Sequence, residues 1–215
     1  MTVGTQSLLD APADAPLRDR ILSATLRCIG RWGVTKTTLD DIARAAGCSR
    51  ATVYRAFPGG KDVLLHEAAT HEILAFFAEV AADVDAASDL ADALTRALLD
   101  ATRRLRRHEA LQYLVAHEPG VILPYTSFDG IQPLLDLAAA TVAPLLERHL
   151  PTSSAPQQAA ELSEWLVRVV LAYALDVDDE AVVDLTDPAD TRRFVTTFAV
   201  PGVEPDQPGP DRTQP

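Results

Sequence analysis

The chain has 215 residues, of which 47% are hydrophobic and 23% charged, and a formal net charge of −12. That length suits one or two domains with a sizeable core, and the sequence holds no run of about 18 apolar residues that would span a bilayer as a helix. So large an acid excess argues against a nucleic-acid partner, until its distribution is examined. Residues 16–66 carry nine cations and four anions, a balance of +5, which leaves −17 for the remainder. A basic head on an acidic body favours one mode of approach to a polyanion.

Residues 1–15 and 201–215 are rich in Pro and Asp and are expected to be disordered tails. Residues 1–16 lack the basic and apolar regions of a secretory signal, so a cytoplasmic location is expected. A first helix is predicted over 18–33. Residues 37–57 then read as two short helices joined by a tight turn at Gly47, the arrangement of a helix-turn-helix. Thr38 can cap the first of these, and Asp40 and Asp41 favour its positive end. Ile42, Ala43 and Ala46 recur at helical spacing and give it an apolar face. Gly47 permits the positive φ that ends it. Ser49 can cap the second helix, Val53 and Phe57 lie on its inner face, and Arg50, Ala51, Thr52, Tyr54 and Arg55 remain outside. A short helix with small and cationic residues at its start can enter the major groove of DNA.

Beyond this point the pattern stays helical, with segments at about 61–83, 88–107, 109–117, 130–149, 157–176 and 188–198 and no convincing strand. Pro133 falls in a first turn, where proline is tolerated, while Pro144 should kink or split its helix. Cys28 and Cys48 occupy apolar positions of predicted helices and read as buried free thiols, without the spacing of a zinc site. The Glu67/His71 pair and the His117-Glu118-Pro119 run are two-ligand patterns, too sparse for a metal, and no cofactor is expected. His66, His108 and His149 read as surface residues. Nothing resembles a nucleophile–base set or a phosphate-binding loop, so an enzyme is not expected.

Residues 17–65 resemble the DNA-binding domain of the TetR family of bacterial transcriptional regulators. The resemblance rests on Ile42-Ala43, Ala46-Gly47, Ser49, Val53-Tyr54 and Phe57 in order, with a preceding helix and a following Lys61-Asp62-Val63-Leu64-Leu65. Cys48 stands where Val is usual, and the Pro58-Gly59-Gly60 loop is one residue longer than the commonest form. The resemblance implies an all-α chain. A three-helix DNA-binding domain over 16–62 would be followed by a helical effector-binding and dimerisation domain over 63–200.

It also implies roles for residues. The second helix of the motif would lie in the major groove, with Arg50 on guanine N7/O6, Ala51 on a thymine methyl and Thr52 on base or phosphate. Tyr54, Arg55 and Lys61 would anchor phosphates. Thr37 and Thr38 would meet another phosphate at a helix N-terminus, with Ser49 completing the contact set. A kinked, proline-bearing helix often lines the ligand cavity in this family, and Phe76, Tyr113, His117, Tyr125, Phe128 and Trp165 are the candidate lining. The last two long helices would pair with their two-fold mates, giving a homodimer through Leu162, Leu166, Val169, Val170, Tyr173, Phe194 and Phe198. The function implied is a ligand-responsive regulator, a repressor released from its operator by a small apolar or amphipathic effector. A DNA-binding factor without an effector, and a helical carrier or enzyme, are the alternatives.

Overall fold

Two apolar clusters organise the chain, and one helix far along the sequence belongs to the first of them. The computed structural model describes residues 16–127, 130–150, 155–176 and 181–203, and every regular element among these is a helix. In order they are α1 (Leu17–Lys36), α2 (Leu39–Ala45), α3 (Arg50–Ala56), α4 (Gly60–Asp85), α5 (Leu90–Arg107), α6 (Glu109–His117), α7 (Pro119–Thr126), α8 (Gln132–Thr141), α9 (Ala143–Glu147), α10 (Ala155–Ala174) and α11 (Pro188–Phe194). A π-helical turn over 195–199 and a 3₁₀ turn over 200–202 extend α11. The expected tail residues 1–15 and 204–215 lie outside the described residues, as does Phe128.

The first cluster is built by α1 to α3, with Ile21, Ile29, Ile42, Val53 and Phe57 at its centre. It does not stop at residue 62, where the domain boundary was expected. Leu64 and Ala68 of α4 and Ala110 and Leu114 of α6 belong to the same cluster. Thus α4 runs from one cluster into the other, and α6 returns from the body to lie along α1. The second cluster is formed by α4, α5, α8, α9, α10 and the turn after α11, around Val84, Leu94, Leu98, Leu146 and Val195. No helix of the described residues is long and apolar enough to cross a membrane.

The segment 130–149, in which Pro144 was expected to kink or split the helix, is two helices, α8 and α9, with Pro133 and Pro144 each in a first turn. A proline is tolerated there because its missing N–H has no intrahelical partner to lose. Helix α7 was not expected. Pro119 opens it and Pro124 lies within it, yet none of its residues is buried, so it shows no core-facing period in the sequence.

Expectations about α10, Cys48 and His108 are corrected. Leu162, Leu166 and Val170 face the chain's own core, at 8%, 5% and 6% exposure, and are not free for a partner. Trp165, Val169 and Tyr173 lie on the same broad face and are half-buried, and Trp165 and Val169 pack against that core from its edge. Trp165 stacks on Phe194 at 6.2 Å, and Phe194 lies 5.5 Å from Phe198, which is 67% exposed. Cys48 sits half-buried in the turn between α2 and α3 rather than in a helix, whereas Cys28 is buried, and that burial pushes its thiol pKa up. His108 is no plain surface residue: its Nδ1 caps α6 by accepting from the Leu111 N–H at 3.1 Å, and its Nε2 meets Glu72 at 3.3 Å.

Candidate nucleic-acid interface

The interface is assembled from caps. Thr38 and Asp41 form a reciprocal capping box at the start of α2. The Thr38 hydroxyl accepts from the Asp41 N–H at 3.2 Å, and the Asp41 carboxylate accepts from the Thr38 N–H at 3.2 Å. The Thr38 hydroxyl, which donates to the Asp41 carboxylate at 2.5 Å, and then the Thr38 N–H, with a smaller contribution from Arg44, hold the Asp41 carboxyl below its ordinary pKa. Gly47 takes φ +66, which turns the chain out of α2. Ser49 then caps α3 by accepting from the Thr52 N–H at 3.1 Å. Buried Val53 and Phe57 fix which side of α3 faces the core.

The opposite side of α3 presents Arg50, Ala51, Tyr54 and Arg55 exposed and Thr52 half-buried. Ser49 adjoins them through the Thr52 hydroxyl at 2.8 Å, and Thr38, at the start of α2, is exposed. The Arg55 guanidinium donates to the Thr52 hydroxyl at 3.2 Å. Arg50 is held on two sides: Nη1 donates to Asp40 of α2 at 3.0 Å, and the guanidinium lies 5.7 Å from the Tyr54 ring centroid. Tyr54 first, and Asp40 next, push the Arg50 pKa up, reinforcing a charge that is permanent anyway.

Other cations of the basic head are committed to holding it together. Arg18 donates to the Ala56 carbonyl at 2.8 Å, pairs with Glu67 and lies 4.3 Å over the Phe57 ring. Arg20 donates to the Ala46 carbonyl at 2.6 Å, and Arg27 bonds Ser23. Lys61 donates to the Val34 carbonyl at 2.6 Å, so its ammonium is drawn to the end of α1 rather than pointed outward as a simple phosphate anchor. Thr37 is removed from the candidate contacts: it is 1% exposed and its hydroxyl donates to the Gly33 carbonyl at 2.6 Å.

The expected pocket residues do not converge. Phe76 packs at the edge of the body core against Phe77, and Trp165 lies on Phe194. Tyr113 and His117 stack on each other at 4.4 Å at the α1–α6 contact, while Tyr125 is 55% exposed. An open groove of about 480 Å³ lies instead on the head, lined by Arg27, Cys28, Gly30, Arg31, Trp32, Ala45 and Glu109. Among the described residues no group of three or more His, Cys, Asp or Glu could hold a metal ion. Sequence reading missed Asp40 as a partner of Arg50, and Glu118 as a ligand of the backbone after Gly33. No local signal marks either, because both pairs are tertiary.

A helix-turn-helix head carried on an all-helical body is the class of protein this fold defines. Residues 21–68 match the model of the bacterial regulatory proteins of the tetR family. That match covers the helix-turn-helix head, from α1 into the first turns of α4. An uncharacterized HTH-type transcriptional regulator of Mycobacterium tuberculosis is 32% identical over 99 residues, 46% of this chain and 50% of that protein. The chain thus spans about half the length of the first curated relatives it matches. Another such regulator of the same organism is 26% identical over 192 residues, 87% of this chain and 85% of that protein. Two solved structures share the fold. The fatty acid degradation regulator FadR from Bacillus halodurans superposes with a TM-score of 0.59 at 18% identity, covering 85% of this chain and 95% of that one. The TetR family repressor AlkX from Dietzia, implicated in biodegradation of n-alkanes, gives 0.58 at 21% identity, covering 86% and 95%.

Proposed function

We propose that the chain is a cytoplasmic, homodimeric transcriptional regulator that binds double-stranded operator DNA through α3 and is released by a small apolar or amphipathic effector. The observation that carries this reading is the outward surface of α3. Buried Val53 and Phe57 orient the helix, and the Ser49 cap fixes its start, so Arg50, Ala51, Thr52, Tyr54 and Arg55 project together. In this reading Arg50 meets guanine, Ala51 a thymine methyl and Thr52 base or phosphate. Tyr54, Arg55 and the Thr38 and Ser49 caps meet phosphates, with Lys61 at the margin. The domains are then a DNA-binding head over 16–62 and an effector and dimerisation body over 63–200, coupled through α4 and α6.

One feature of the body supports an amphipathic effector. Thr102 of α5 is 1% exposed, and its hydroxyl has no hydrogen-bond partner among the described residues. A polar atom buried without a partner costs about 1–3 kcal/mol, and a ligand with one polar end would supply the partner. FadR and AlkX are named for fatty-acid degradation and n-alkane biodegradation, which agrees with that class of effector. An effector can act only through its different affinity for the DNA-competent and DNA-incompetent states.

The test is titration of a duplex selected from a random pool at a series of salt concentrations. A dimer contacting 6–10 phosphates gives a log–log slope of about −5 to −9, and Arg50→Ala costs about 1–3 kcal/mol at one base pair per half-site. A flat salt response sinks the reading. Native mass spectrometry of the protein as purified reads dimerisation and any retained effector together.

A further inference from the structure

Asp40 is an anion on the outward side of a head whose net charge is positive. Its side chain is 55% exposed, as is that of Arg50, with which it pairs at 3.0 Å. Stability explains it only in part, through its place in the first turn of α2, where the helix dipole favours an acid. Exposed ion pairs contribute little, and the start of α2 already has its capping box in Thr38 and Asp41. For a surface that must approach phosphates, a carboxylate there is adverse.

Its geometry supplies a reason. Arg50 is the first residue of α3, where the helix dipole disfavours a cation. Its side chain is long and has many rotamers. Asp40, in the first turn of α2, takes Nη1, and the Tyr54 ring one turn along α3 faces the guanidinium at 5.7 Å. A fork held at one nitrogen and on one face keeps its remaining N–H groups pointed in one direction. Two such donors in fixed geometry are what the O6/N7 edge of guanine accepts.

We infer that Asp40 is a positioning residue for base readout: it orients the Arg50 guanidinium and trades general affinity for DNA against discrimination at one base pair per half-site. The inference rests on the DNA-binding reading above and deepens it. Its consequence is a pair of opposite effects. Removing the carboxylate frees Arg50 to sample other rotamers, so discrimination falls. It also removes a negative charge facing the phosphates, so binding to unrelated duplex rises.

The experiment uses the full chain and its Asp40→Ala, Asp40→Asn, Arg50→Ala and Asp40→Ala/Arg50→Ala variants. The wild type is first used to select duplexes from a pool with a randomised core. Dissociation constants are then measured for the selected duplex, for its single-base variants and for an unrelated duplex at one salt concentration, with thermal melts of each protein. The expected result is about a tenfold loss of discrimination at the base read by Arg50 in Asp40→Ala, with tighter binding to the unrelated duplex and a melting temperature lowered by no more than a few degrees, the loss of one helix-dipole contact. Asp40→Asn should lie between, and Asp40→Ala should cause no further loss of discrimination in the Arg50→Ala background. Unchanged discrimination in Asp40→Ala, equal weakening on all duplexes, or additive losses in the double variant each overturn the proposal. If the wild type enriches no sequence from the pool, the DNA reading itself falls, and the proposal with it.

Discussion

The carboxylate of Glu118 accepts the backbone N–H of Val34 at 2.8 Å and that of Thr35 at 3.2 Å, across 84 and 83 residues of chain. Glu118 sits between α6 and α7, and the peptides it grips lie just past the bend of α1 at Gly33, three residues before the cap of α2. Lys61 of α4 donates to the carbonyl of the same Val34. One short segment of the head is thus held by α4 from one side and by the α6–α7 junction from the other. Desolvation pushes the Glu118 carboxyl up, but the hydrogen bonds from Thr35 and Val34, with Lys61 nearby, outweigh it and hold the pKa below its ordinary value. Glu118→Ala is expected to destabilise the chain by about 1–2 kcal/mol, because two N–H donors lose a charged acceptor. The sign with pH follows from the lowered pKa. The ionised form is favoured by folding, so its contribution is full above the ordinary carboxylate pKa and is lost as pH falls through the lower, folded value. Denaturant melts of wild type and Glu118→Gln should differ at neutral pH and converge in acid; a constant gap would contradict the assignment.

Gly33 makes that grip possible. Its φ is +79, and a Cβ there would lie 2.5 Å from Oε1 of Glu118 and 2.8 Å from the Tyr113 ring. With ψ at 173, this backbone is open almost only to glycine and costs another residue about 1–3 kcal/mol, and the clash with Glu118 and Tyr113 adds to it. Gly33→Ala should therefore destabilise by more than Glu118→Ala. In Gly33→Ala/Glu118→Ala the combined loss should be less than the sum, since one clash is removed; strict additivity in melts would show that the two sites do not touch.

What the sequence reveals here is the local part. Thr38, Gly47 and Ser49 are legible because caps and turns are made by residues within four positions of each other. Thr37 was misplaced beside Thr38 because adjacent threonines look alike in a string, although one helical turn back from Thr37 lies the Gly33 carbonyl that takes its hydroxyl. On α10 the apolar face is wider than the core it meets. Periodicity finds Leu162, Trp165, Leu166, Val169, Val170 and Tyr173 without saying which of them face inward. Glu118 with Val34, and Asp40 with Arg50, depend on how the helices pack, and no spacing encodes them.

The Thr38 box separates folding from binding. Thr38→Ala removes the acceptor of the Asp41 N–H and should cost about 1 kcal/mol, read as a lower melting temperature. Thr38→Ser keeps the cap and should melt like wild type. If Thr38→Ser also keeps DNA affinity while Thr38→Ala loses more than its stability loss explains, the hydroxyl contacts phosphate as well as the helix. Equal DNA affinity for all three would confine Thr38 to capping.

Thr102→Val tests the body. Valine fills nearly the same space without the buried, unpartnered hydroxyl, so the apo protein should become more stable by up to about 1 kcal/mol. Effector affinity, once an effector is in hand, should fall. A loss of stability on this change would mean that the hydroxyl has a partner and is no handle for a ligand.

The buried face of α10 and the aromatic row that runs from Trp165 to Phe198 predict opposite outcomes for their residues. Leu166 is 5% exposed within the body core, and Leu166→Ala should cost about 2–5 kcal/mol of stability, as large-to-small changes in packed cores do. Phe198 is 67% exposed and ends an aromatic row with Phe194 and Trp165. An exposed apolar row of this kind is a candidate contact surface. In a two-fold dimer each chain presents the same row, so a charge introduced there meets its own copy. Phe198→Glu should therefore raise the dimer dissociation constant at least tenfold by sedimentation, while far-ultraviolet dichroism keeps its helical signal. A Phe198→Glu chain that stays as tightly dimeric as wild type would move the interface off this row. A Leu166→Ala chain that folds normally but comes apart into monomers would return it to the inner face.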